Sequence, residues 1–165
     1  METEIAKLKG LGKIKLKQRE QWYCDSCGQI IKNSKEAMLE WDNFLYEDNN
    51  DGYNAKNFRI VHQKKASNYS NCQTDNKKRN LSDGHLHWYV GSGGLSELLS
   101  FYDYKKIDHR EFNEIIKRIH VDFYEEARIY MNIGFEDGYN LDPHQVGDYS
   151  QQDLLFLISE YADKA

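Results

Sequence analysis

Two cysteines separated by two residues, in the stretch Trp22-Tyr23-Cys24-Asp25-Ser26-Cys27-Gly28, give the strongest chemical signal in the chain. A thiolate pair at that spacing can grip one side of a borderline-soft cation. The glycine after it lets the backbone turn tightly and aim amide groups at the sulfurs. Half a tetrahedron needs two further ligands. His62 closes the stretch Phe58-Arg59-Ile60-Val61-His62, and Cys72 stands in the polar segment that follows. Cys24, Cys27, His62 and Cys72 therefore predict a closed Zn²⁺ site. His85 or His87 can replace Cys72 as the fourth ligand; on a strand the two would point to opposite faces. The rival readings are a redox dithiol, which ordinarily opens a helix in a βαβ setting that is not visible here, and cysteines with no joint role. Three cysteines make an odd set for a disulfide framework.

The elements that must position these ligands are short strands. Gln21–Cys24 leads into the cysteine pair and Gln29–Ile31 leads out, the layout of a zinc knuckle on a hairpin. Residues 37–41 alternate, placing Ala37, Leu39 and Trp41 on one face. Residues 58–62 alternate too, with Phe58, Ile60 and His62 together. Residues 47–54 contain an Asp-Gly pair and read as a turn. Residues 63–80 have no apolar period and read as a loop that the metal would anchor. The second half is helical. Leu95, Leu98, Leu99 and Tyr102 form one stripe. Residues 108–134 read as one long helix, with Asp108 and Glu111 as a capping pair and an apolar stripe from Phe112 to Tyr130. Ser150 caps a last helix carrying Leu154, Leu155, Leu157, Ile158 and Tyr161. The small residues of Val90–Gly94 read as a flexible joint.

The expected architecture is α+β: a small zinc-stabilised β layer packed on a C-terminal part of about three α-helices. Residues 1–20 form a basic entry, 21–90 the zinc-bound region and 91–165 the helical region, folded together as one domain. The first half has too few apolar residues to hold alone, so the metal should supply much of its folding free energy.

Charge is unevenly spread around a net −5. Lys7, Lys9, Lys13, Lys15, Lys17 and Arg19 make the entry basic, and its alternation of Lys with Leu and Ile suits an edge strand. Lys64, Lys65, Lys77, Lys78 and Arg79 form a second basic stretch, whereas the segment from Val121 onward is acidic. With Trp22 and Tyr23 beside the knuckle, these two lysine-rich stretches are candidate contacts for a macromolecular partner, either a protein or a nucleic acid. No stretch approaches the about eighteen apolar residues of a membrane span. No signal-peptide pattern opens the chain, so a cytoplasmic protein is expected.

His120, Tyr124, Glu125 and Arg128 concentrate polar groups beside the helical stripe and could edge a pocket. A hydrolase would use His120, Glu125 and Glu126 with a second ion. A solvated, ion-paired face explains the same residues. No phosphate loop, Rossmann fingerprint, nucleophile elbow or His-Glu-x-x-His motif is present.

Taken in order, Trp22 to Gly28, Phe58 to His62 with Cys72, Gly94 to Phe101, and Arg118, His120 and Tyr124 to Arg128 resemble a family of uncharacterised bacterial and phage proteins. The resemblance spans residues 21–162. It implies a zinc site within one co-folded unit and supplies no activity. The functional expectation is a non-enzymatic, zinc-stabilised interaction protein, with a phage or bacterial-defence setting.

Overall fold

A computed structural model describes residues 1–44, 54–66, 68, 71–74, 80–104, 106–139 and 149–165. The fold is α+β, with two small antiparallel sheets and helices placed mainly in the second half. The chain forms two compact units, one of Arg19–His120 and one of Met1–Gln18 with Val121–Ala165. The sequence suggested boundaries after residues 20 and 90; the unit boundaries fall after 18 and 120. Among the described residues, no helix is long and apolar enough to cross a membrane.

In the unit of Arg19–His120, β1 (Trp22–Tyr23) and β2 (Ile30–Ile31) form a hairpin with Trp22 opposite Ile31. β3 (Ala37–Asn43) is the centre of a three-stranded sheet, flanked by β4 (Ala55–His62) and β5 (Leu81–His85). Leu39 faces Ile60 on one side and Gly84 on the other. The helices α2 (Gly91–Tyr104) and α3 (His109–His120) complete the unit. Trp22, Leu39, Ile60, Leu86, Leu98 and Phe112 share one core. The β region packs on helices as expected: α2 and α3 bring Leu98, Phe112, Ile115 and Ile119 to its core.

Ala37, Leu39 and Trp41 are buried as their alternation predicts. The opposite face of β3 is buried as well: Glu40 is 1% exposed. Its carboxylate accepts from Arg59 Nη2 at 2.6 Å, and from the N–H and Oγ1 of Thr74, both at 2.8 Å. A carboxylate survives burial when its oxygens are this fully bonded.

β5 has no sequence signal, since Asp and Gly disfavour strands. Gly84 is required there, because a Cβ at that position would lie 2.4 Å from the Tyr89 hydroxyl. The small residues after Val90 are not a joint. They form the first turn of α2, where a Cβ on Gly94 would meet the Tyr89 backbone at 2.1 Å.

Asp108 caps α3, accepting from the amides of Arg110 at 3.0 Å and Glu111 at 3.2 Å. Glu111 reaches instead to the Asn57 amide at 2.5 Å. The long helix expected over 108–134 ends at His120. Phe123 has φ of 66°, and the chain restarts as α4 (Tyr124–Ala127), a 3₁₀ turn and α5 (Met131–Glu136). Phe112, Ile115 and Ile119 belong to one core, and Phe123, Ala127 and Tyr130 to another. What reads as one stripe thus serves two.

The second unit also holds α1 (Glu2–Gly10) and α6 (Gln151–Tyr161). The edge strand expected over the alternating residues 7–17 does not form: residues 7–10 belong to α1, and residues 11–17 are neither strand nor helix. Glu2 and Glu4 open α1 and Lys7 and Lys9 close it, which matches the helix dipole. Gly12, at φ of 67°, ends it, its amide N–H donating a hydrogen bond to the Lys9 carbonyl at 3.0 Å. Ser150 and Asp153 form a reciprocal capping box on α6, whose Leu154, Leu155, Leu157 and Ile158 are fully buried.

Glu126 is fully buried, and its two oxygens accept the Lys15 amide at 2.5 Å and the Leu16 amide at 3.3 Å. Glu126→Ala would strand both donors. It is expected to destabilise this unit by about 2 kcal/mol, read as an earlier loss of helical circular dichroism on heating.

Candidate metal centre

Cys24 and Cys27 sit on the turn between β1 and β2. The Cys24 amide bonds to the Gln29 carbonyl at 2.9 Å and the Gly28 amide to the Cys24 carbonyl at 2.8 Å. Gly28 takes φ of 71°, a left-handed conformation that glycine adopts without a Cβ penalty. His62 is the last residue of β4, paired with Ala37 of β3 and 1% exposed. Cys72, also buried, lies in the segment after β4.

That segment is held by more than a metal would supply. Thr74 is bound to Glu40, and the Gln73 side chain accepts from the Lys64 amide at 3.0 Å and donates to Asp83 at 3.1 Å.

The knuckle itself is fixed by Asp25, which lies inside the cysteine pair. Asp25 Oδ2 accepts from the Ile60 amide at 2.7 Å and from Arg118 Nη1 at 2.7 Å. The Asp25 amide returns a bond to the Ile60 carbonyl at 2.8 Å. The knuckle is therefore tied both to the strand that carries His62 and to α3. Neither Asp25 nor this use of Arg118 is evident from the sequence. A carboxylate between the two cysteines is the one available hint.

One potential ligand atom from each of Cys24, Cys27, His62 and Cys72 lies within 4.8 Å of the other three. Cys27 Sγ and His62 Nδ1 are 3.6 Å apart. Zinc–ligand bond lengths in a tetrahedron place sulfur and nitrogen about 3.5 Å apart and two sulfurs about 3.8 Å apart. The cluster is therefore close to the size that such an ion demands. Three soft sulfurs and one imidazole form a donor set that suits zinc better than calcium or magnesium. All three cysteines are free of disulfides, and the pair lies on a hairpin turn rather than at a helix N-terminus, unlike the redox-dithiol setting.

Local electrostatics match the same use. Burial pushes the Cys24 thiol up, but the backbone amides of Cys27, His62 and Ser26 aim at the sulfur and bring it below its ordinary value. Burial keeps His62 below the usual imidazole range, although it interacts with the Ile30 backbone and the charge of Glu36. A neutral imidazole is the ligating form. Burial, followed by the neighbouring Cys27 and Cys24 sulfurs, pushes Cys72 up to about 12. Sulfurs that crowd one another in this way gain from a central cation, whose charge inverts the balance.

His85 and His87 are not in the cluster. Their rings lie 5.3 Å apart, and His85 stands 4.9 Å from Trp88, which is 55% exposed.

Trp22 is not a partner contact. It is fully buried, and its Nε1 donates to the Arg118 carbonyl at 3.1 Å. Tyr23 is half-buried, while Lys64 and Lys65 are exposed. Lys77, Lys78 and Arg79 lie outside the described residues. His120 belongs to the unit of Arg19–His120, where its Nε2 is 2.8 Å from the Tyr89 carbonyl oxygen. Tyr124 and Glu125 are buried in the other unit, and Arg128 Nε donates to Glu125 at 2.8 Å.

No protein-family model, curated protein or solved structure matches the chain, so the site is read on its own geometry.

Proposed function

We propose that the chain is a zinc-stabilised interaction protein: Zn²⁺ held by Cys24, Cys27, His62 and Cys72 fixes the knuckle to the sheet, and the shaped surface binds another protein. The observation that carries this reading is the convergence of three thiols and one imidazole from three separate segments. Four protein ligands complete a zinc tetrahedron and leave no position for a substrate or an activated water, which is the mark of a structural site. Exposed Trp88, with the exposed His87 and half-buried His85 rings packed beside it, supplies contact surface of the kind enriched at protein interfaces.

The test is affinity capture with the zinc-loaded chain and with its Trp88→Ala variant as parallel baits. A protein retained by the first and lost by the second supports the reading. Turnover of nucleotides or peptides by the purified chain would overturn it.

The exposed Lys64 and Lys65 favour a second reading, contact with nucleic acid. Gel shifts over a salt series separate the two, because phosphate binding weakens steeply with salt.

Zinc affinity should also depend on pH. With its pKa raised to about 12, the Cys72 thiol is protonated at neutral pH in the metal-free protein. Zinc must expel that proton. From this thiol alone the affinity rises about tenfold per pH unit between pH 6 and 8. Competition titrations with a chromophoric chelator at three pH values measure the slope.

A further inference from the structure

The four ligands are not equally shielded. Cys24 is 2% exposed, Cys72 7% and His62 1%, whereas Cys27 faces solvent. Cys27 is flanked by Ser26 and Gly28, both exposed, so an oxidant can approach its sulfur from outside. Its two sulfur neighbours stand within 4.8 Å behind it. An accessible thiolate backed by a second thiol is the arrangement in which oxidation proceeds to a disulfide instead of stopping at one sulfur.

We propose that Cys27 is an oxidation site through which a peroxide expels the metal, making the cluster a redox-responsive clasp. This rests on the reading of the cluster as a zinc site. In the first step the Cys27 sulfur attacks hydrogen peroxide. An S–O bond forms, the O–O bond breaks and hydroxide leaves, giving a sulfenic acid. In the second step the Cys24 or Cys72 sulfur attacks Cys27. An S–S bond forms, the S–O bond breaks and a second hydroxide leaves; two protons from solvent convert the two hydroxides to two waters. The two sulfurs have given two electrons to the peroxide. Zinc leaves as Zn²⁺ with its oxidation state unchanged, because only one thiolate and one imidazole remain to hold it. A thiol reductant reverses the disulfide and readmits the ion.

The consequence is local. Loss of the ion removes its link among the knuckle turn, His62 and the Cys72 segment: a Cys24–Cys27 disulfide leaves the turn and that segment unlinked, and a Cys27–Cys72 disulfide joins them in a different geometry, while the apolar core of Leu39, Ile60, Leu98 and Phe112 keeps its contacts. The clasp would then change the surface around the knuckle without dissolving the unit.

The test uses the full zinc-loaded chain, hydrogen peroxide and a chromophoric zinc indicator. Zinc content is measured first: a chain that binds none refutes the metal reading and this inference together. In a chain that binds zinc, brief alkylation before oxidation is expected to label Cys27 ahead of Cys24 and Cys72. Peroxide is then expected to release zinc as a disulfide containing Cys27 forms, with dithiothreitol restoring binding. A Cys24–Cys72 disulfide with Cys27 still reduced would overturn the inference while leaving the zinc reading intact. Cys27→His supplies an independent arm, since imidazole also ligates zinc. If this variant loads zinc, its peroxide-driven release should be slower by about tenfold or more, and release at the wild-type rate would contradict the proposal. If it does not load, the alkylation order and disulfide map of the unaltered chain decide.

Discussion

Removing the metal, by chelation or by Cys24→Ser, is expected to lower the melting midpoint of the unit of Arg19–His120 by about 10–20 °C. An ion present at a hundredfold excess over its dissociation constant stabilises the state that binds it by about 2.7 kcal/mol. Each kcal/mol moves the midpoint of a domain of 60–100 residues by about 4–8 °C. The readout is selective, because Trp22, Trp41 and Trp88, the three tryptophans of the chain, all lie in this unit. Tryptophan fluorescence therefore follows its unfolding without a contribution from the other unit. The transition should remain cooperative at its lower temperature, since the core around Leu39, Ile60 and Phe112 does not depend on the ion. The core of the other unit contains none of the four ligands, so the helical signal of α1 and α6 has no metal requirement of its own. An unshifted fluorescence midpoint in Cys24→Ser would show that these residues hold no stabilising ion.

Asp25→Ala is expected to cost about 2–3 kcal/mol, because it deprives one buried charged donor and one backbone amide of the same acceptor. Arg118 is 4% exposed and lies 2.7 Å from Asp25. Deleting the carboxylate leaves that guanidinium buried without it, and it also takes the acceptor from the Ile60 amide. The knuckle loses its tie to β4 at the same time, so zinc affinity should fall by about tenfold or more. The pairing can be separated from a general packing effect by the double variant Asp25→Ala with Arg118→Met. Removing both charges should recover part of the stability, because the guanidinium, which in Asp25→Ala is left with the Tyr23 carbonyl at 3.3 Å, is then no longer desolvated without its carboxylate. Fluorescence-monitored urea unfolding of the two single variants and the double variant measures the coupling. Strictly additive losses would show that the Asp25–Arg118 pair is not what holds the knuckle.

The ligand cluster was legible because its chemistry is rare in sequence. Three cysteines and a histidine at the end of a strand leave few other uses, and the structure brings those four residues together. α6 was legible for a local reason, since Ser150 and Asp153 satisfy each other within one turn. What failed was long-range. The stripe from Phe112 to Tyr130 records that these side chains are buried but not in which core, and the left-handed Phe123 divides it. Trp22 read as a surface contact beside a basic entry, yet its indole is satisfied by a carbonyl 96 residues away. The alternation over residues 37–41 identifies one face of β3 and gives no sign that Glu40 on the other is buried, since its partners, Arg59 and Thr74, lie 19 and 34 positions on. The lysine-leucine alternation of the entry suited a strand, but the acidic first turn and basic last turn of α1 favour a helix. Local periodicity cannot encode a partner that only the tertiary fold supplies.

X-ray absorption at the zinc edge, on chain purified with zinc and dialysed free of excess, tests the central claim most directly. The expected result is one retained ion per chain with three sulfur neighbours at about 2.3 Å and one nitrogen at about 2.0 Å. An ion surrounded only by oxygen and nitrogen, or a chain that emerges from dialysis folded and without zinc, would contradict it.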